Sequence, residues 1–140
     1  MNAQLLIAVG GLIFLVLGAA HLRLTVRDMK EPRAFVPAKR ELLEELKATR
    51  INLRRDVKDF WTSYLGFHIS HSAGIIFFGM AIIYFALVRP DIFADLYVRL
   101  AVVIFGAAYV LMARAFWFSI PFFGALLGTS AIAIGLAMLY

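Results

Sequence analysis

Four long apolar stretches limit what this chain can fold into more than any other feature. Residues 5–20, 60–88, about 96–116 and about 120–140 are each apolar enough to cross a bilayer as a helix, which takes about 20 residues. In 140 residues, of which 63% are hydrophobic and 16% charged, a soluble domain has no interior that could bury these stretches. The sequence therefore predicts a single all-α domain over residues 1–140, a four-helix transmembrane bundle with spans at about 4–22, 60–88, 96–116 and 120–140.

The basic residues predict how this bundle is oriented. Of 14 Lys and Arg, 11 lie between Arg23 and Lys58, and the other three are Arg89, Arg99 and Arg114. By the positive-inside rule the basic segment is cytoplasmic. Four crossings then place both termini on the outer side of a bacterial inner membrane. The chain contains no cysteine, which excludes disulfide and thiol chemistry.

Turn and helix signals between the spans complete the prediction. Pro90 ends the second span, and Asp91 is a candidate cap for the third. A cytoplasmic helix is predicted at about 38–59, after Pro37, because one apolar stripe has spacings of 4, 7, 4 and 3 residues: Leu42, Leu46, Leu53, Val57 and Phe60. This amphipathic helix can lie on anionic headgroups, cover the ends of the bundle, meet a partner helix, or continue into the second span as one rod.

Small residues predict where the spans pack closely. Gly11 and Gly18 lie on the same face of the first span as His21, and Gly79 lies on the face of His68 and His71. The fourth span has a stripe of three glycines, Gly124, Gly128 and Gly135. In membrane helices such residues mark faces where backbones approach each other. The histidines are therefore expected on packing faces rather than lipid-facing ones.

Four polar side chains are expected at one depth near the cytoplasmic boundary, and they predict a ligand pocket. His21, His68, His71 and Arg114 would form its polar end, and Trp61, Tyr64 and Trp117 its apolar wall. Arg114 suits an anionic head such as phosphate or carboxylate. The opposing interpretation is packing alone, since a histidine near the interface is partly wet and Arg114 can extend to the headgroups. The serines beside the histidines can bond to their own helix.

A bound metal or haem is the second interpretation of the histidines. His68 and His71, three residues apart on a helix, can chelate one ion, and His21 can supply a third nitrogen. Ligation of haem b by two histidines would need His21 opposite His68 or His71. A carboxylate for a facial triad is lacking at this depth, and the sequence has no phosphate loop or dinucleotide fingerprint. The sequence favours no cofactor and leaves open whether the protein is an enzyme.

The stretch LGFHISHSAGIIFFG, residues 65–79, resembles a motif in a family of small, uncharacterised bacterial four-helix integral membrane proteins. That motif, in the second helix, reads G-F-x-x-S-H-S-x-G followed by F-G. The matching residues are Gly66, Phe67, Ser70, His71, Ser72, Gly74, Phe78 and Gly79. His21, in GAAHL, is similar to an early histidine of the same family. The resemblance implies asparagine at the position of His68, so the histidines shared with the family would be His21 and His71. The family has no established activity.

Three functions are consistent with the sequence. The first is a binding or accessory protein whose cytoplasmic-leaflet pocket holds an amphiphile, a lipid or a partner helix. The second is a membrane oxidoreductase or electron carrier with a histidine-bound metal or haem. The third is a purely structural subunit of a larger membrane complex, which glycine-rich faces and short loops favour. Expected partners are membrane lipid and a partner membrane subunit or a second copy of the chain, and not nucleic acid.

Overall fold

Four long helices account for the four apolar stretches. The computed structural model describes residues 2–54 and 56–139, so the predicted limits at residues 1 and 140 lie outside the described residues. The helices α1 (Ala3–Lys30), α3 (Phe60–Val88), α4 (Leu96–Phe116) and α5 (Ser119–Leu139) are all long and apolar enough to cross a membrane. A short helix, α2 (Arg40–Ala48), follows α1 along the chain, and a 3-10 helix spans Pro90–Ala94. The fold is therefore all-helical with four candidate spans.

Proline and side-chain capping set the ends of α3 and α4. Val88 is the last residue of α3, because Arg89 precedes Pro90 and proline disfavours the helical conformation of the residue before it. Asp95 caps α4 by accepting the Tyr97 N–H at 2.7 Å. The predicted cap, Asp91, lies instead within the 3-10 helix and pairs with Arg89 at 2.8 Å. The prediction failed because four further residues separate Asp91 from the start of α4.

The segment between the first two candidate spans is less helical than predicted. Of the helix predicted at about 38–59, only Arg40–Ala48 forms α2, and α1 extends to Lys30, beyond the predicted end at residue 22. Thr49 is extended, and its carbonyl accepts the Phe60 N–H at 2.7 Å, which holds the two ends of a loop over residues 49–59 together. β-Branched Thr49 and the turn-forming Asn52 favour this break. The alternative of one rod continuing into the second span is therefore wrong.

The apolar stripe predicted for this segment is also wrong. Leu42 and Leu53 have exposed fractions of 43% and 76%. Leu43, which is not in the predicted stripe, is buried in a small cluster with Trp61 and Leu65. The prediction assumed one unbroken helix to residue 59, and the break after Ala48 changes the direction of every later side chain.

The contacts divide the chain into two compact units, and each is described by itself. The core unit comprises the chain up to Leu17 and from Ile75 onward, and the histidine unit comprises Gly18–Gly74. Helices α1 and α3 contribute residues to both units.

An apolar interior holds the core unit together. Phe14 is 1% exposed and makes edge-on ring contacts with Phe78, at 5.0 Å between centroids, and with Tyr109, at 6.2 Å. Around it lie the other buried residues of this cluster: Ile7, Ile75, Ile82, Ala86, Phe93, Ala125, Ile132 and Leu136. These side chains come from α1, α3, the 3-10 helix and α5, so the core unit joins segments that are distant in sequence.

Glycines allow the helices of the core unit to approach at backbone distance, as the small-residue faces predicted. A Cβ added at Gly79 would lie 2.6 Å from the Gly11 carbonyl oxygen, and one at Gly10 would lie 2.6 Å from the Gly128 carbonyl oxygen. Side chains of α1 contact the two other glycines of the predicted stripe in α5, Gly124 and Gly135. Any larger residue at these positions would push the helices apart.

Candidate functional site

The three histidines lie together in the histidine unit. His21 on α1 and His68 on α3 are 47 residues apart, yet His21 Nε2 and His68 Nδ1 are 2.7 Å apart in a hydrogen bond. Their rings are nearly parallel, with centroids 5.0 Å apart. His71 lies edge-on to His21, with centroids 5.6 Å apart, because a spacing of three puts His68 and His71 on one side of α3. A hydrogen bond between imidazoles needs one donor and one acceptor, so at least one ring of the pair is neutral.

The hydroxyl side chains next to the histidines bond to their own helices. Ser72 Oγ donates to the His68 carbonyl at 2.8 Å, and Thr25 Oγ1 donates to the His21 carbonyl at 3.0 Å. Ser70 Oγ donates to the Phe67 carbonyl at 2.9 Å. The prediction that the serines bond back to their helix is confirmed for Ser70 and Ser72. These hydroxyls are thus satisfied within their own helices and need no ligand as a partner.

Phe35, which the sequence analysis missed, is part of this cluster. Its ring lies 4.6 Å from that of His21 and 5.0 Å from that of His68, in the second case nearly parallel at 16°. It comes from the loop between α1 and α2. No helical or strand periodicity covers that loop, so pattern reasoning could not place the side chain. A large aromatic residue between the prolines of the stretch EPRAFVP was the available signal.

A buried carboxylate fixes the loop that carries Phe35. Asp28 is 0% exposed and accepts the backbone N–H groups of Arg33 at 2.9 Å, Ala34 at 2.9 Å and Phe35 at 2.7 Å. An acid near the end of a helix is disfavoured by the helix dipole unless hydrogen-bond donors compensate it. Asp28, two residues before the end of α1, was therefore a signal that a loop folds back onto it, and the sequence analysis did not use it.

An apolar pocket of ≈ 340 Å³ adjoins the cluster. It is lined by Phe35, Val36, Pro37, Leu46, Phe60, Trp61 and Tyr64. The Tyr64 ring contacts that of His68 edge-on at 4.2 Å, and Trp61 stacks on Tyr64 at 5.6 Å. Phe35 and Tyr64 thus line the pocket and also contact the histidines. Trp61 and Tyr64, the residues predicted for the apolar wall, are both pocket-lining residues.

A polar pocket of ≈ 490 Å³ lies beside the apolar one. Its lining comes from the end of α2 and from the loop that follows: Lys47, Ala48, Arg50, Asp56, Val57, Lys58 and Asp59. The Asp59 carboxylate caps α3 by accepting the Thr62 N–H and the Thr62 hydroxyl, each at 2.8 Å. These hydrogen bonds, above all the one from the Thr62 N–H, hold the pKa of Asp59 below its usual range.

Arg114 and Trp117, predicted to share the site, belong to the core unit. They line a pocket of ≈ 390 Å³ where α4 gives way to α5, together with Ala113, Phe118, Ser119 and Phe122. Trp117 also contacts Tyr109, with ring centroids 6.3 Å apart. A joint role of Arg114 and Trp117 with the histidines stays a prediction.

His21 and His68 are directly hydrogen-bonded in the structure, and a metal role of the histidines stays a prediction. Two nitrogens bound to one tetrahedral zinc ion stand about 3.3 Å apart, and an iron between two axial histidines separates their nitrogens by ~4 Å. The separation of 2.7 Å between His21 and His68 matches a direct hydrogen bond. Over residues 2–54 and 56–139, no group of three or more His, Cys, Asp or Glu is arranged to hold a metal ion. The geometry thus gives no support to a metal role of His21, His68 and His71.

No family model, curated protein or solved structure matches this chain. The resemblance of residues 65–79 to the bacterial membrane family stays a prediction. The fold and the site define the class of this protein. It is all-helical, with four helices able to cross a membrane and with a cluster of histidine and aromatic side chains beside an apolar pocket.

Proposed function

We propose that this protein is a small integral membrane protein that binds an amphiphile through the apolar pocket of its histidine unit. The observation that carries this proposal is the pocket of ≈ 340 Å³, which has four aromatic side chains in its lining. A volume above about 300 Å³ with a predominantly apolar lining is typical of small-molecule sites. The ligand's apolar portion would pack on Phe35, Phe60, Trp61 and Tyr64.

The walls of this pocket are ordered before any ligand arrives. Three backbone N–H groups bonded to Asp28 hold the Phe35 loop. The His68 ring contacts Phe35 in a parallel arrangement and Tyr64 edge-on, which holds both side chains. A pre-ordered site binds more tightly because fewer side chains lose freedom when the ligand enters. In this proposal the histidines position the walls through their ring contacts with Phe35 and Tyr64.

The proposal places the pocket in the cytoplasmic leaflet of a bacterial inner membrane, with both termini outside. Its support is the 11 of 14 basic residues between Arg23 and Lys58 and the aromatic residues Trp61 and Tyr64 at the start of α3. Since the chain has no cysteine, a single cysteine introduced at position 47 can be labelled selectively. Labelling of that cysteine from the outer face of intact cells would contradict the orientation.

Fluorescence quenching tests ligand binding in this pocket directly. The chain has two tryptophans, so Trp117→Phe leaves Trp61, a lining residue of the pocket, as the reporter. The purified variant in unbrominated detergent is titrated with a phospholipid brominated on its acyl chains. We expect saturable quenching of Trp61 at lipid fractions too low for random contact in the micelle. Trp61→Phe, which leaves Trp117 as reporter, gives the corresponding curve for the core unit.

A matched pair of variants on α2 separates pocket binding from general contact with lipid. Leu46 lines the pocket, so Leu46→Phe should fill part of it. Because overpacking is unfavourable by roughly 1–3 kcal/mol, the lipid affinity obtained from the quenching curve should fall about tenfold or more. Leu42→Phe makes the same change at a position that is 43% exposed and not in the lining, and it should leave the curve unchanged. Equal curves for the two variants, or quenching proportional to bulk lipid fraction, would refute binding in this pocket.

A further inference from the structure

We infer that the ligand of this site is an anionic phospholipid, whose phosphate is held by Arg50 and Lys58 in the polar pocket while its apolar part lies in the apolar pocket. This inference rests on the proposed function and specifies the ligand's head group. It concerns the histidine unit alone, and the residues that carry it are separate from the histidine cluster.

Residues that line the two pockets are adjacent in sequence at two places. On α2, Leu46 lines the apolar pocket and Lys47 lines the polar one. Before α3, Asp59 lines the polar pocket and Phe60, the first residue of the helix, lines the apolar one. A ligand that fills both pockets must therefore join a polar group directly to an apolar one, which is the structure of an amphiphile.

Two cations of the polar lining have no ion-pair partner among the described residues. Asp56 pairs with Arg54 at 3.0 Å, Lys47 pairs with Glu44 at 2.9 Å, and the Asp59 carboxylate is bonded to Thr62. Within residues 2–54 and 56–139, Arg50 and Lys58 form no ion pair. Because Thr62 is neutral, Asp59 keeps its negative charge, so the three cations and two carboxylates of the lining leave a net charge of +1, which suits an anion.

The fold of the loop brings these two cations to one place. Arg50 forms an isolated antiparallel bridge with Asp59, and the Phe60 N–H donates to the Thr49 carbonyl at 2.7 Å. Arg50 at one end of the loop and Lys58 at the other therefore line the same pocket. A guanidinium can bind two phosphate oxygens at once, and an ammonium adds a second point of positive charge.

The head group should accordingly carry net negative charge. A zwitterionic phospholipid would bring its own cation to a pocket whose lining already carries a net positive charge. A free phosphate would use the polar pocket and leave the apolar one unfilled. Anionic lipids of the cytoplasmic leaflet attract basic residues near the membrane surface, and each such residue strengthens binding roughly fivefold.

The test compares two lipids that differ in head group alone. The Trp117→Phe protein is titrated with brominated phosphatidylglycerol and with brominated phosphatidylcholine at one ionic strength. We expect phosphatidylglycerol to bind more tightly. The double variant Arg50→Gln/Lys58→Gln should weaken phosphatidylglycerol binding by roughly 20- to 30-fold, from about fivefold for each charge, and should weaken phosphatidylcholine binding less, because the choline cation offsets the phosphate charge. The phosphatidylcholine binding that remains shows that the variant is folded.

Lys39→Gln/Arg40→Gln is the matched control, because it removes the same charge from two exposed residues of the same segment that do not line the pocket. Lys39 and Arg40 are exposed, like Arg50 and Lys58, but do not line the polar pocket, so phosphatidylglycerol binding should fall clearly less than in Arg50→Gln/Lys58→Gln. Equal losses in the two double variants would overturn the inference. So would displacement of the lipid by equimolar glycerol phosphate, or a larger loss in Arg114→Gln than in Arg50→Gln.

Failure of the inference is distinguishable from failure of the proposed function. If neither lipid quenches Trp61 saturably, the pocket binds no phospholipid and the proposed function fails. If both lipids quench with equal affinity, the proposed function stands and the assignment of an anionic head group is overturned.

Discussion

Glycines in the two units have opposite surroundings. In the core unit, a Cβ at Gly79 would meet backbone atoms of α1, the nearest being 2.6 Å away. In the histidine unit, a Cβ at Gly66 or Gly74, on the same helix α3, would meet nothing within 4 Å. Helix α3 is thus in backbone contact with α1 at Gly79, and it meets no other element at Gly66 and Gly74. The comparison teaches that a glycine-rich stretch has a packing role only where another helix meets it.

Hydrogen-bonded polar side chains fix parts of the histidine unit, whereas glycines allow close helix packing in the core unit. The fully buried polar side chains among the described residues, Thr25, Asp28 and Ser72, all belong to the histidine unit. Each of them has a hydrogen-bond partner, as a buried polar group requires. Directional bonds of this kind fix individual side chains, including Phe35 in the pocket wall, more specifically than apolar contacts do. The site therefore lies in the unit that is built from such bonds.

The largest expected effect tests the glycine contrast within one helix. Gly79→Leu inserts a side chain between α3 and α1 and should lower the free energy of unfolding by about 3 kcal/mol or more, because the backbones must separate. Gly74→Leu places the same side chain in open space and should change stability by less than about 0.5 kcal/mol. Thermal unfolding in detergent measures both. Similar losses of stability in the two variants would contradict the difference in packing around Gly79 and Gly74.

The second prediction concerns Asp28, the strongest polar tie of the histidine unit. Asp28→Ala leaves three loop N–H groups without their acceptor and should destabilise this unit by about 3 kcal/mol, since bonds to a charged group are worth roughly 1.5–3 kcal/mol each and water restores part. Amide hydrogen exchange should become faster at residues 33–35. Glu31→Ala removes a nearby exposed carboxylate and is the control. Unchanged exchange in Asp28→Ala would show that the loop is held by other contacts.

A smaller effect is expected from His68→Phe. This change keeps a ring for stacking on Phe35 and Tyr64 but removes the hydrogen bond to His21, so about 1 kcal/mol of stability should be lost. Ser70→Ala, on the same helix, removes a bond from an exposed hydroxyl to its own helix and should have almost no effect. Chemical unfolding of the two variants in detergent decides the matter. If His68→Phe is as stable as the parent protein, the hydrogen bond between His21 and His68 does not contribute to stability.

Sequence reasoning was successful where a pattern extends over a whole element. The predicted spans at 60–88 and 96–116 coincide with α3 and α4, because some twenty consecutive apolar residues have few alternatives. It failed in the segment between α1 and α3, where a few apolar residues fit several helical registers and Leu42 was predicted for the apolar stripe in place of Leu43. In the site it found the histidines and missed Phe35 and Asp28. Those two act through a loop whose path depends on hydrogen bonds between residues of no repeating pattern.

The smallest expected effect, and the most sensitive to pH, is the loss of the Asp59 cap at the start of α3. Hydrogen bonds from Thr62 stabilise the ionised carboxylate and lower the pKa of Asp59 in the folded protein. Its contribution to stability is therefore fully present above the unfolded pKa of about 4, and it is lost as the pH falls through the lower folded value. Asp59→Ala should lower the melting temperature slightly at pH 6, and this difference should shrink as the pH approaches 3. Asp56→Ala removes the same charge from the same loop without removing a cap, so it should lower the melting temperature less at pH 6. A deficit in Asp59→Ala that stays constant down to pH 3 would mean that the carboxylate acts through its shape rather than through its charge.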